Sequence, residues 1–184
     1  MKKMICALLA LTLALSMAAC GGKAAETTAA TTAPAANVEG TMEELLNKVI
    51  EQRPVEFMGG VIPIDLTDTS EEGLWAVKSY TGLEDASQLT EAAAYEPMIG
   101  SIAFSMVMAR TAPGADAKAV AESMKSGVDP RKWICVEADT KTAAYCGDIA
   151  MFFMVGSNFS DQVTTQSMLD AFKASVSGDV TVVG

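Results

Sequence analysis

Apolar residues spaced three or four positions apart predict helices in several stretches after residue 40. The first begins at a capping box, Thr41-Met-Glu-Glu44, in which the threonine hydroxyl accepts from first-turn amides and the glutamate reaches back to the backbone. Thr69 and Glu72 repeat this pattern, and Asp116 and Thr164 are suitable N-cap residues. The predicted helices span residues 41–52, 69–82, 85–94, 116–127 and 164–172.

An alternating pattern predicts strands between these helices. In SIAFSMVMARTA (101–112) both alternating sets of positions are largely uncharged, so we expect a central strand with helices covering at least one face. Gly59-Gly60 and Pro63 punctuate a shorter extended segment, which we place at a sheet edge. The remaining β-rich runs are WICVEA (133–138), AAYC (143–146) and IAMFFMVG (149–156), joined by Asp139–Thr142 and by Gly147-Asp148, which suits a two-residue hairpin turn.

The order of these elements predicts the fold class. A helix-rich first half is followed by strand, helix, three strands and a last helix. Such an order favours an α+β fold, with helices packed on a mainly antiparallel sheet of about four strands. The length suits one domain, which we place at residues 41–184.

The N-terminus has the layout of a signal peptide. Lys2 and Lys3 precede an almost unbroken apolar run at 4–17, which is shorter than the roughly 20 residues of a membrane-spanning helix. Met17-Ala-Ala-Cys20 resembles the bacterial lipobox, with methionine where leucine is usual. The resemblance implies that residues 1–19 are removed and that Cys20 is diacylated. The alternative is an ordinary secretory signal with an incidental cysteine.

Residues 20–40 then form an acylated cysteine and a flexible tether. The segment is built from alanine, threonine, glycine and proline, with Val38 as its one large apolar residue, so it cannot bury enough surface to become ordered alone. Two acyl chains on Cys20 supply the two signals that stable anchoring needs. We therefore expect the lipid bilayer as a partner and a location on the extracytoplasmic face of the cell membrane.

The charge of the processed chain narrows its partners. Cleavage removes two of the 13 basic residues and none of the 23 acidic ones, which changes the formal charge from −10 to −12. An acidic balance argues against nucleic-acid binding and against adsorption to anionic lipid. An envelope protein or peptide is the macromolecular partner that we expect.

Several kinds of catalytic site are excluded by composition. The sequence contains no histidine, which excludes histidine general bases, Ser-His and Cys-His nucleophiles, and histidine-ligated zinc. It also lacks a phosphate-binding G-x-x-x-x-G-K-[ST] loop. We predict a non-enzymatic protein without cofactor or metal; an enzyme that uses carboxylates or a thiol is the weaker alternative.

Cys135 and Cys146 are candidates for a structural disulfide. If 139–142 is a four-residue hairpin loop, then Ala138 faces Ala143, and the register places the two cysteines opposite each other. A non-hydrogen-bonded position with slight adjustment could hold the bond. The alternative is a pair of buried free thiols.

Other residues are candidates for ligand contacts. Arg131, Lys132 and Trp133 form a possible contact patch for a peptide or an anionic glycan, or else a turn whose tryptophan covers the core. The acids at 65–72 suit helix starts better than a calcium loop. Four methionines favour core packing over Cu(I) binding: Met106, Met108, Met151 and Met154.

The layout resembles an uncharacterised family of Gram-positive bacterial lipoproteins, a domain of unknown function. The lipobox with its tether and the capped helix at 41–52 carry this resemblance, together with SYTGL (79–83), EDASQLTEAAAYEPM (84–98), IAFSMVMAR (102–110) and GDIAMFFMV (147–155). It implies a fold and a location but no activity. We expect a binding or accessory module of the cell envelope; the alternatives are a small-ligand or metal-binding lipoprotein and, less favoured, an enzyme.

Overall fold

The computed structural model describes residues 37–159 and 161–184. The fold is α+β, as the sequence predicted, but its antiparallel sheet has six strands rather than about four, in the order β1-β2-β3-β5-β4-β6. The helices are α1 (Met42–Gln52), α2 (Glu71–Thr81), α3 (Ala117–Gly127) and α4 (Thr165–Ser175), with a 3-10 turn at Ser157–Phe159. The strands are β1 (Gly59–Pro63), β2 (Leu89–Pro97), β3 (Phe104–Thr111), β4 (Thr140–Cys146), β5 (Ile149–Val155) and β6 (Thr181–Val182).

Helices cover both faces of the sheet. The core has two apolar clusters: α1 and α4 pack on one face, and α2 and α3 on the other. Phe152 and Phe153 illustrate the division, because successive side chains of β5 point to opposite faces and both are fully buried. The largely uncharged β3 is therefore a central strand between two helical layers, as expected.

The helix ends confirm most of the predicted caps. Thr41 and Glu44 form the expected capping box, and the side chains of Asp116 and Thr164 cap α3 and α4. The cap of α2 is Ser70 rather than Thr69, since the Ser70 hydroxyl accepts from the amide of Gly73 at 3.2 Å. Each cap satisfies a first-turn amide that has no partner within its helix.

The prediction of a helix at 85–94 is wrong. Residues 89–97 form β2, between β1 and β3. The alanines at 92–94 favour a helix by propensity, but their small side chains fit a sheet covered on both faces, and Ala93 and Ala94 are fully buried opposite Met108 and Val107.

The prediction of a strand at 133–138 is also wrong. These residues lie in an irregular loop between α3 and β4, and β4 begins at Thr140, inside the segment predicted to be a hairpin loop. β4 pairs instead with β5 through the Gly147-Asp148 turn, which confirms that prediction, and Gly147 has a φ of 56°.

The folded region includes the last residues assigned to the tether. Val38 is 5% exposed, and its amide donates to Asp148 Oδ1 at 2.8 Å. Arg110 donates to the carbonyl of Gly40 at 2.6 Å and forms an ion pair with Asp148. The segment from Val38 is thus fixed to the sheet, while the predicted signal peptide, Cys20 and the rest of the predicted tether, up to residue 36, lie outside the described residues.

Within residues 37–159 and 161–184, none of the four helices has the length and apolar character needed to cross a bilayer.

Candidate functional site

A pocket of about 360 Å³ opens where α2 and α3 both end. It is lined by Trp75, Lys78, Ser79, Gly127, Asp129 and Lys132. Two glycines let the helix ends meet, because Gly82 has a φ of 71° and a Cβ on Gly127 would collide with the carbonyl oxygen of Gly82. The volume lies within the range of small-molecule sites, about 300–1,000 Å³.

Lys132 enters this site from the 131–139 loop and turns inward. Its ammonium forms an ion pair with Glu96 and donates to Ser105 Oγ at 3.1 Å, and the Ser105 hydroxyl in turn donates to Glu96 Oε1 at 2.6 Å. Only 9% of the Lys132 side chain is exposed. The three groups form a closed hydrogen-bonded triangle at the side of the sheet that faces α2 and α3.

Two aromatic rings flank the Lys132 ammonium. Its nitrogen lies 4.7 Å from the ring centre of Tyr80 and 5.5 Å from that of Trp133. Burial lowers the pKa of Lys132, while the charge of Glu96 and the hydrogen bond to it oppose that shift. Burial and the negative charge of Glu96 also raise the pKa of Tyr80. Because Ser105 is fully buried, its hydroxyl cannot contact a ligand in the pocket, and it accepts a hydrogen bond from Lys132 instead.

The predicted contact patch does not form as a shared cationic surface. Lys132 is buried, Trp133 packs against the α2–α3 cluster, and only Arg131 is well exposed, at 77% of its side chain. Arg131 is itself paired with Glu137 at 2.8 Å. The alternative interpretation, a turn whose tryptophan covers the core, is therefore confirmed for Trp133.

Trp75 is the site residue that the sequence analysis missed. It lies within the helix predicted at 69–82, and 66% of it is exposed where it lines the pocket. Trp75, Lys78 and Ser79 occupy positions i, i+3 and i+4 of α2, which places them on one helix face. That spacing of an aromatic and two polar residues is the signal that could have identified the site.

The predicted disulfide is not formed. Cys135 lies exposed in the loop before β4, and Cys146 lies buried at the far end of the same strand. β4 pairs with β5 and β6, so the hairpin register that would have brought the two sulfurs together does not exist. Both cysteines are free thiols.

The two thiols are expected to react at very different rates. Cys135 is exposed, whereas Cys146 is 1% exposed and its Sγ lies 3.9 Å from the carbonyl oxygen of Ser177. Burial, with lesser effects from Asp179 and Asp148, raises the pKa of the Cys146 thiol and so reduces its thiolate fraction.

We expect iodoacetamide at neutral pH to modify Cys135 in the native protein and Cys146 only after unfolding, as read by peptide mass spectrometry. Cys135→Ser supplies the control, since it should leave the native protein without fast labelling. Equal labelling of both residues in native protein, or neither residue labelled until reductant is added, would contradict the structure.

The other candidate clusters serve the fold. The core holds Met106, Met108 and Met151 on the α1–α4 side of the sheet and Met154 on the other, all fully buried, which confirms the core interpretation. Asp65 and Asp68 accept from the amides of Thr67 and Ser70 in the turn before α2. Within residues 37–159 and 161–184, no group of three or more cysteine, aspartate and glutamate side chains is arranged to hold a metal ion.

No protein-family model, curated protein or solved structure matches this chain. The resemblance to a lipoprotein family therefore stays a prediction that rests on the residues quoted above.

Proposed function

We propose that this protein is a lipid-anchored binding module of the cell envelope, held on the extracytoplasmic face of the membrane through acylated Cys20. The lipobox resemblance and the Ala/Thr tether support the anchor. The pocket beside Trp75 supports a binding role, and its size favours a small ligand or a single side chain of a partner over a flat protein interface.

The observation that carries the binding role is the exposed indole of Trp75 at a concave site. A tryptophan that is two-thirds exposed forgoes much of the stabilisation that burial of its ring would give. Here it stands beside Ser79 and Asp129, which offer hydrogen-bonding groups at the same pocket. An aromatic surface with a few polar groups around it is typical of ligand sites.

The polar residues around the pocket favour binding over catalysis. The Lys132 ammonium is held by Glu96 and Ser105, and the Lys78 ammonium donates to both carboxylate oxygens of Glu84 at 2.8 and 3.0 Å. An ammonium group held beside a carboxylate in this way is a poor general base or nucleophile, because its nitrogen has no free lone pair while it stays protonated. Fixed charges of this kind shape a site without reacting in it.

Tryptophan fluorescence tests this role directly, because the chain has two tryptophans, Trp75 and Trp133. In a Trp133→Phe variant the emission reports on the pocket alone. We expect the small-molecule fraction of a cell-envelope extract to shift this emission saturably.

The matched control is Trp75→Phe, in which the remaining Trp133 packs against the core. Its emission should respond little to the same fraction. An unchanged emission from Trp75, or equal responses from the two variants, would contradict binding at this pocket.

A further inference from the structure

The charges around the pocket are unevenly compensated. Three cations lie at or beside it, and each is matched by a carboxylate: Lys78 by Glu84, Arg131 by Glu137 and Lys132 by Glu96. The cationic character that the sequence suggested for this region is thereby neutralised. An anionic ligand would have to compete with these three carboxylates.

Asp129 differs from these residues. One of its oxygens, Oδ1, accepts from the amide of Arg131 at 2.9 Å, and among the described residues it forms no ion pair with a basic side chain. It is exposed and lines the pocket. Its negative charge is therefore the one left uncompensated among the charged side chains of the pocket.

The helix ends add to the negative potential. Gly127, the last residue of α3, lines the pocket, and the end of α2 lies against it at Gly82. The carbonyls of a last helical turn have no partners within the helix and carry the negative end of its dipole. Both helices therefore present this end at the site. The net charge of the whole chain, −10, has the same sign.

Trp75 completes the chemistry of the site. The face of an indole ring attracts a cation more strongly than any other side-chain ring, and it tolerates the methyl or methylene groups next to the charge. An exposed tryptophan and an uncompensated carboxylate at one pocket are complementary to an organic cation.

We propose that the ligand of this pocket carries an alkylammonium group, which Trp75 and Asp129 receive together. The proposal rests on the binding role proposed above and gives the ligand a chemical class. A primary amine, as on a lysine side chain, and a quaternary amine, as on a choline, share this chemistry. The expected charge of the ligand is positive, whereas the glycan considered in the sequence analysis carries a negative charge.

The test uses the full-length Trp133→Phe protein in a maltoside detergent, with Trp75 emission as the readout. The ammonium probes are choline chloride and n-butylammonium chloride. The matched neutral probe is 3,3-dimethyl-1-butanol, which has the shape of choline without its charge, and sodium acetate and sodium chloride control for anions and ionic strength. We expect saturable binding of an ammonium probe, at least about fivefold tighter than the neutral probe.

Two charge variants then test the assignment. Asp129→Asn removes the uncompensated carboxylate and should weaken ammonium binding about five- to tenfold, without affecting the neutral probe. Glu84→Gln leaves the positive charge of Lys78 without its partner carboxylate and should also weaken ammonium binding. Arg131→Gln leaves the pocket residues unchanged and should have a smaller effect than either variant.

The outcomes separate this proposal from the binding role itself. Tighter binding of n-butylammonium would indicate a lysine-type ligand, and tighter binding of choline a quaternary one. Equal affinity for the neutral probe, saturation by acetate, or no binding of either ammonium probe would overturn the ammonium assignment. If the envelope fraction still shifts Trp75 emission in that case, the binding role stands; if it does not, both fall.

Discussion

Replacing Arg110 by methionine is expected to lower the free energy of unfolding by about 3 kcal/mol, because removal of one partner leaves the buried carboxylate of Asp148 without its counter-charge. Arg110 is 19% exposed in its side chain, and its partner Asp148 is 11% exposed. The Nε atom of Arg110 also lies 3.6 Å from Oε2 of Glu91, and its guanidinium donates to the Gly40 carbonyl. Chemical denaturation measures the loss.

The same substitution should release the segment that leads into the fold. Asp148 and Glu91 accept from the amides of Val38 and Met42, each at 2.8 Å, and Arg110 holds both carboxylates in place. Hydrogen exchange at these two amides should therefore accelerate more than exchange in β5. The guanidinium thus connects residues 38–42 to the sheet.

Arg131→Met is the matched control for this prediction. Arg131 forms a comparable ion pair with Glu137, but the two side chains are 77% and 55% exposed, so the pair should contribute less than about 1 kcal/mol. If both arginine variants lost the same stability, or if the Val38 amide exchanged no faster in Arg110→Met, the role proposed for Arg110 in holding this segment would be wrong.

Local signals in the sequence predicted the elements whose geometry is set by nearby residues. Thr41 and Thr164 cap their helices, and Gly147-Asp148 closes the β4–β5 hairpin. Each depends on hydrogen bonds or φ values within a few residues. The neighbours along the chain contain that information.

The errors arose where distant residues decide the structure. The alanines of β2 favour a helix locally, and only their place between β1 and β3 makes them a strand. The same holds for Lys132, whose charge suggested an exposed position. The carboxylate that pairs with it in the interior, Glu96, is distant in sequence and belongs to β2.

For the candidate site, prediction from the sequence is limited in the same way. Helical spacing could have grouped Trp75 with Lys78 and Ser79, but not with Asp129, which lies in the loop that follows α3. The pairings that neutralise the lysines also depend on the fold, as Lys132 and Glu96 illustrate. The sign of the uncompensated charge, on which the ligand proposal depends, is therefore a tertiary property.

Attachment through Cys20 is the central claim of this account, because location and partners both depend on it. Cys20→Ser removes the thiol proposed to carry the acyl chains, while Cys6→Ser, in the predicted signal peptide, serves as the matched control. The measurement is metabolic labelling with radioactive palmitate, followed by sedimentation of the membranes. We predict that Cys20→Ser loses both the label and membrane sedimentation, since two acyl chains supply the anchor, and that Cys6→Ser keeps both. A Cys20→Ser protein that is labelled and sediments as the unsubstituted protein does would contradict the account.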